Sequence, residues 1–421
     1  LPTYNLIVHP HPHVNLERLG GFIMNIIDRF AEYVKIPTMS DPNSDTYPSS
    51  SKQLVLAKLL KEQLANLVDI VELTDTGIVY GFLKTNYESN ETIGLIAHMD
   101  TSLDMSDENV NPRVINNYDG TVIKLNENIT MNPKDFPCLL NDIGADIMVT
   151  DGATLLGGDD KAGVAIIMDV LERLKENPEI KHKNLAIAFT PDEEIGKGCD
   201  NFDVEYFNAD YAYTIDGGDA SDIEYENFNA ASAKVTINGL SIHPGSAKNK
   251  MLNSILIAME FQSLLPVNEN PMYTEGYEGF NHLCDINGDC EKTVMENIIR
   301  NHDKALLEKQ KKDFINACNF INSKYKDNTC ILEIKDSYQN MKEFIKDRMD
   351  IVDNVKKIMT EMGLKATSTP IRGGTDGAVL TYKGLPCPNL GTGDRNCHGK
   401  FEYVNLNEMK LMSDLVLKIV E

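Results

Sequence analysis

Three shortages narrow the field before any motif is considered. No stretch approaches the roughly 18 consecutive apolar residues of a transmembrane helix, so no membrane span is expected. The cysteines are Cys138, Cys199, Cys284, Cys290, Cys318, Cys330, Cys387 and Cys397, and none forms a CxxC pair. Their spacing suggests neither a zinc knuckle nor a secreted disulfide framework. Free thiols in a reducing, cytoplasmic setting are the expectation. Basic residues are also few: 40 Lys and Arg against 64 Asp and Glu leave a net charge of -24. Such a chain repels nucleic-acid phosphates and anionic membrane surfaces. Most of this acid is a solvated face, but the composition also suits a carboxylate-rich metal site.

Internal repeats and low-complexity linkers are likewise absent. The opening LPTYNLIVHPHPHVNLERLGG lacks a basic segment followed by an apolar one, so it does not read as a standard signal peptide. Residues 1–23 read as a leader or extension of unknown role, and His9, His11 and His13 in it read as polar residues rather than ligands. Native folding is expected to begin near Met24.

At 421 residues, two or three domains are expected. Apolar runs ending in polar residues alternate with helical patterns through the first half. TIGLIAHMD (92–100), NLAIAFTPDEEIG (184–196) and ADYAYTIDGG (209–218) read as buried strands with acids at their ends. VAIIMDVLERLKENP (164–178) reads as a helix with a proline stop. Strands alternating with helices predict an α/β sheet, with function where polar residues follow the carboxyl ends of strands. From about residue 228 the order becomes strand, helix, short strands around VMENIIRNHD, charged helix, strand, which fits a small α+β insert. The expected layout is a discontinuous catalytic domain, 24–227 and 336–421, interrupted by an inserted domain, 228–335.

The chemistry sits at the strand ends. His98 and Asp100 are two apart and project to one side of a strand, as ligand and orienting partner; alone, HxD reads better as a surface loop. Asp159 and Asp160 lie in GGDDKAG, a Gly-rich turn entering a helix, and alone could be a cap. Asp192, Glu193 and Glu194 repel one another unless a cation or solvent relieves them. Asp216 ends another apolar strand, and His398 lies in NCHG. Each is unconvincing alone. Together they offer a hard oxygen or an imidazole at every strand end, a set suited to Zn²⁺, with Mn²⁺ or Co²⁺ as substitutes. Two ions fit if one carboxylate bridges them.

The stretches AHMDTS, TDGATLLGGDDKAG, AFTPDEEIGKG, AYTIDGG, ENFNAAS, HPGSAK, TEGYEGF, IIR, DSYQNM, PIRGGTDGA, GLPCPNLGTG and HGKFE occur in this order. In them the chain resembles the peptidase T group, tripeptide aminopeptidases of the M20 metallopeptidase family, from about Met24 to the C-terminus. The resemblance implies an α/β, zinc-exopeptidase-like catalytic domain with a mixed central sheet flanked by helices. A smaller ferredoxin-like α+β lid or dimerisation domain would interrupt it. It implies two zinc ions, one held by His98 and Asp216, the other by Glu194 and His398, with Asp159 bridging. Asp100 would fix His98, Glu193 would be general base and acid, and Asp160 would not be a direct ligand. It further implies that His243 polarises the scissile carbonyl, often of a partner subunit's substrate, that Arg300 binds the substrate carboxylate, and that Arg372 lines the pocket. A tripeptide substrate and a homodimer through the insert follow as expectations. The chain departs from the family at GTGDRNCHG before His398, at Asn301 and at Asp219, none of which removes an implied ligand. Alternatives are a related M20 dipeptidase, carboxypeptidase or deacylase, or a silent scaffold homologue; retention of His98, Asp159, Glu193, Glu194, Asp216 and His398 argues against the last.

Overall fold

The computed structural model describes residues 24–421, so the leader and its three histidines lie outside the described residues. By contacts the chain divides into two compact units. The first comprises, of the described residues, 24–195, Ile215–Gly217 and Thr392–Glu421. The second comprises Gly196–Thr214 and Gly218–Gly391, and holds all of 228–335.

In the first unit the strands Ile70–Leu73, Val79–Leu83, Asn184–Thr190 and Thr92–His98 lie side by side in that order. The first three pair antiparallel and the last two run parallel. Thr92–His98 and Asn184–Thr190 are buried at every position after the first. That is what a continuous apolar run predicts for parallel strands covered on both faces. The helix Gly158–Glu176 packs on Thr92–His98 and is flanked by the helices Ile26–Tyr33 and Leu406–Val420. Asn25 caps Ile26–Tyr33 by accepting from the Asp28 N–H, close to Met24, where folding was expected to begin. A second small sheet joins Asp394–Arg395, Tyr403–Asn405, Ile147–Val149 and Arg113–Ile115.

The second unit contains the predicted α+β order. Asn229–Asn238, helix Ser254–Ser263, Phe280–Gly288, Lys292–Asn301, helix Lys304–Lys324 and Cys330–Asp336 follow one another, and the four strands form one antiparallel sheet. Ala231, Ala233, Val235 and Ile237 alternate onto its buried face, against Phe261 and Phe314. The "short strands" expected around 294–303 are instead one ten-residue strand, hairpinned to Phe280–Gly288. Phe280–Gly288 is exposed over most of its length, so it carries no apolar alternation to read. Elsewhere in this unit, Tyr211–Ile215, Asn389–Leu390 and Ile223–Glu224 are neighbours in a sheet, and Met349–Glu361 forms a helix. No helix among the described residues is long and apolar enough to cross a membrane.

Candidate metal centre

The implied metal-site residues all fall in the first unit: His98 ends Thr92–His98, Glu194 follows Asn184–Thr190, Asp216 follows Tyr211–Ile215, Asp159 is the second residue of Gly158–Glu176, and His398 lies between Asp394–Arg395 and Tyr403–Asn405. Thr92–His98 delivers His98 at its carboxyl end, and Asp100 follows, fully buried. Asp100 does two things. Its Oδ1 stands 3.4 Å from His98 Nδ1, which also reaches the Asp100 carbonyl oxygen at 3.1 Å. Its two oxygens accept the backbone N–H groups of Glu193 at 3.0 Å and Glu194 at 3.1 Å. One carboxylate therefore fixes both the imidazole and the acidic turn.

That turn follows Asn184–Thr190, and its three acids separate by environment. Asp192 is fully buried, with a left-handed φ of 59°. It accepts from Ser49 N at 2.7 Å, Ser49 Oγ at 2.5 Å and Gln53 Nε2 at 2.6 Å, so it anchors the turn. Glu194 turns instead toward His398, with Oε2 3.1 Å from Nε2. Asp192→Ala strands those donors in the interior, and charge-assisted bonds of this kind are worth about 1.5–3 kcal/mol each. We expect denaturant unfolding of Asp192→Ala to show a loss of about 3 kcal/mol; a change under about 0.5 kcal/mol contradicts the anchor.

Asp159 sits between two imidazoles. Its Oδ1 is 2.8 Å from His98 Nε2 and its Oδ2 is 3.2 Å from His398 Nε2. Each imidazole has a second acid beside it: Asp216 Oδ1 lies 3.6 Å from His98 Nε2, and Glu194 Oε2 lies 3.1 Å from His398 Nε2. Donor atoms of His98, Asp159 and Glu194 all fall within 4.8 Å of one another, as do those of His98, Asp160 and Asp216. Asp160 is within reach, but its oxygens already accept from the backbone, from His98 N at 3.1 Å and Gly163 N at 3.1 Å. Gly163 has no room for a side chain: a Cβ there would meet the Ile215 carbonyl oxygen at 1.8 Å and Asp160 Oδ1 at 2.5 Å. The KAG glycine lets the helix approach the strand end that carries Asp216.

The electrostatics fit a cation. Burial pushes Glu194 up to about 6 against its His398 bond, and burial also raises Asp216 and, more strongly, Asp160. Burial alone would lower His98, but the charge of Asp216 and the bonds to Asp100 and Asp159 hold it well above the ordinary imidazole value. His398 is raised to about 11 by its bonds to Asp159 and Glu194. Burial works to raise Asp159, yet the two histidines hold it below the usual carboxylate range. Crowded buried carboxylates beside two imidazoles form an arrangement that a divalent cation relieves. Glu194 Oε1 is buried without a hydrogen-bond partner, an acceptor left for a cation to satisfy.

Two further residues complete the centre and were not singled out from the sequence. Glu402, 1% exposed, accepts from four consecutive backbone N–H groups. These are Leu156 at 2.7 Å, Gly157 at 2.9 Å, Gly158 at 2.6 Å and Asp159 at 3.2 Å. Lys161 is fully buried, donates to the Ile36 carbonyl oxygen at 2.7 Å, and is lowered by burial to about 8. The sequence signals for Glu402 are its place at the end of HGKFE, one of the stretches that carry the resemblance, and its being a lone acid inside the apolar run FEYV.

The three expected substrate-binding residues lie in the second unit. His243 is exposed and caps the turn Pro244–Ser246, accepting from Gly245 N at 3.2 Å. Arg300 donates from Nη1 to the carbonyl oxygens of Ala231 at 3.1 Å and Ile299 at 3.0 Å, and its guanidinium lies 5.3 Å from the Tyr338 ring centre. Arg372 donates to the carbonyl oxygens of Gly276 at 2.7 Å and Glu278 at 2.9 Å and to Thr274 Oγ1 at 2.9 Å. It also stacks 5.1 Å from the Phe228 ring centre and 5.7 Å from that of Phe280, so it ties down the TEGYEGF loop.

A sequence model of peptidase family M20/M25/M40 matches residues 154–421. Peptidase T of Clostridium acetobutylicum is 51% identical over 400 residues, covering 94% of this chain and 98% of that protein. Peptidase T of Halothermothrix orenii is 49% identical with the same coverage. Among solved structures, a tripeptidase from Staphylococcus aureus superposes with a TM-score of 0.76 at 22% identity, covering 96% of this chain and 98% of that one. A Bacillus subtilis protein described as a dinuclear metal binding peptidase of the M20 family gives 0.60 at 13% identity, covering 94% and 96%. With the family signature spanning well over half of the residues and peptidase T relatives matching almost end to end, the chain belongs to peptidase family M20/M25/M40, on its peptidase T branch.

Proposed function

We propose that the chain is a dinuclear metallo-aminopeptidase that releases the N-terminal residue of tripeptides. The observation that carries this reading is Asp159, which offers one oxygen to each of two imidazoles, each with its own second acid. His98 and Asp216 would hold one ion, Glu194 and His398 the other, with Asp159 shared. The mixed imidazole and carboxylate set suits Zn²⁺, with Mn²⁺ or Co²⁺ as substitutes. Two bound cations would supply charge stabilisation at the scissile carbonyl and lower the pKa of the attacking water.

The remaining steps belong to the side chains. Glu193 takes a proton from the water as its oxygen bonds to the carbonyl carbon, then returns it to the leaving amine as the C–N bond breaks. Asp100 keeps His98 and the Glu193–Glu194 backbone in place throughout. Arg300 would pair with the substrate carboxylate and His243 with the scissile carbonyl, while Arg372 holds the loop at 274–278. The tripeptide preference is supported by the peptidase T relatives, and a cytoplasmic location by the free thiols. A homodimer through the insert belongs to the same reading, supported by the end strand Phe280–Gly288, where Ile286 is exposed.

The test is a panel of free dipeptides, tripeptides, tetrapeptides and N-blocked tripeptides, with products identified by mass. Free tripeptides are expected to lose their first residue fastest. Preferential cleavage of dipeptides or blocked peptides overturns the tripeptidase reading.

A further inference from the structure

We propose that Glu402 is a positioning residue of the metal centre: by gripping the backbone from Leu156 to Asp159 it holds the Asp159 carboxylate between the two imidazoles. The proposal rests on the reading of Asp159 as the shared ligand.

The turn ahead of Gly158–Glu176 cannot hold itself. Asp159 and Asp160 have non-helical backbone angles, so the N–H groups at and before Asp159 lie outside the regular helical ladder. Buried N–H groups must be satisfied somewhere, and Glu402 takes four in succession, two on each oxygen. Burying a carboxylate beside Asp159 is unfavourable in itself. An apolar residue at 402 would remove that cost and leave four buried donors stranded. The fit leaves no slack: a Cβ on Gly158 would stand 2.7 Å from Val404 Cγ2 and 3.1 Å from Glu402 Oε1.

The connection carrying Glu402 also carries His398. Both lie between the paired strands Asp394–Arg395 and Tyr403–Asn405. His398 meets the Asp159 carboxylate at 3.2 Å, while Glu402 binds the Asp159 backbone N–H at 3.2 Å. One short segment thus fixes the shared carboxylate from its side chain and from its main chain. Carboxylates that orient metal ligands in this way are commonly worth about 10–100-fold in metal affinity.

The experiment compares the full chain with Glu402→Gln, which keeps the shape but turns an amide NH₂ toward two of the four donors. Zn²⁺ binding is measured by equilibrium dialysis, and tripeptide hydrolysis across a range of added Zn²⁺. Glu402→Gln is expected to bind Zn²⁺ about 10–100-fold more weakly, with kcat reduced at low Zn²⁺, recovered at high Zn²⁺, and KM unchanged. Gly158→Ala, whose added Cβ would meet Val404 Cγ2 at 2.7 Å and Glu402 Oε1 at 3.1 Å, is expected to weaken Zn²⁺ in the same direction and serves if Glu402→Gln does not fold. A merely structural role would lower the active fraction and leave the Zn²⁺ affinity of the folded remainder at the wild-type value; that result overturns the proposal. A wild type that binds no Zn²⁺ overturns the metal reading and this proposal with it, whereas wild-type affinity in both variants overturns this proposal alone.

Discussion

Replacing Glu193 with alanine is expected to reduce turnover of a free tripeptide by about 10²–10⁴-fold, the usual contribution of a positioned general base and acid, while metal content stays at the wild-type level. The two halves of this expectation have separate causes. Metal retention follows because the turn is held by backbone rather than by the Glu193 side chain: Asp100 accepts the Glu193 and Glu194 N–H groups at 3.0 and 3.1 Å, and both bonds survive in alanine. Loss of turnover follows because the neighbouring acids are committed elsewhere. Asp192 is spent on Ser49 and Gln53, and Glu194 on His398. The check is kcat beside metal analysis of the same sample. A fully active Glu193→Ala removes Glu193 from the mechanism, and an inactive variant that has lost its metal makes Glu193 a ligand instead.

Asp159→Ala is expected to have the larger effect on the centre. It removes the oxygen 2.8 Å from His98 Nε2 and the oxygen 3.2 Å from His398 Nε2 in one step, leaving each of these two nitrogens a single acid neighbour, Asp216 and Glu194. Metal content should fall from two ions per chain to one or none. Lewis-acid stabilisation is worth several kcal/mol and each 1.4 kcal/mol is tenfold in rate, so turnover should drop by about 10³-fold or more. Dialysis against buffered Zn²⁺ followed by metal analysis reads the first number, and peptide hydrolysis the second. Two tightly held ions in Asp159→Ala would mean that the carboxylate is not shared.

What the sequence made legible follows from burial. Thr92–His98 and Asn184–Thr190 are covered on both faces, so each is an unbroken apolar run, and the polar residues that end the runs mark the sheet's functional edge. The α+β order of the insert was readable because Ala231 to Ile237 alternate and the helix Lys304–Lys324 carries a 3.6-residue apolar period. Phe280–Gly288 escaped because an exposed strand lacks a buried face to reveal it.

At the site, residue types were legible and assignments were not. Asp192, Glu193 and Glu194 look alike in sequence; only the left-handed φ of 59° at Asp192 and its bonds to Ser49 and Gln53 separate the anchor from the acid that faces His398. Glu402 looks like any strand acid until four backbone donors converge on it. For Arg372 the sequence did not reveal that its guanidinium binds carbonyls of a loop about a hundred positions earlier, a contact that no local pattern encodes.

The central claim, a pair of cations sharing Asp159, is tested most directly by anomalous X-ray scattering at the zinc edge from crystals of the Zn²⁺-loaded protein. The account predicts two peaks, one on each side of the Asp159 carboxylate, the first against His98 and Asp216 and the second against Glu194 and His398. A single peak, or two peaks of which only one touches Asp159, would contradict it.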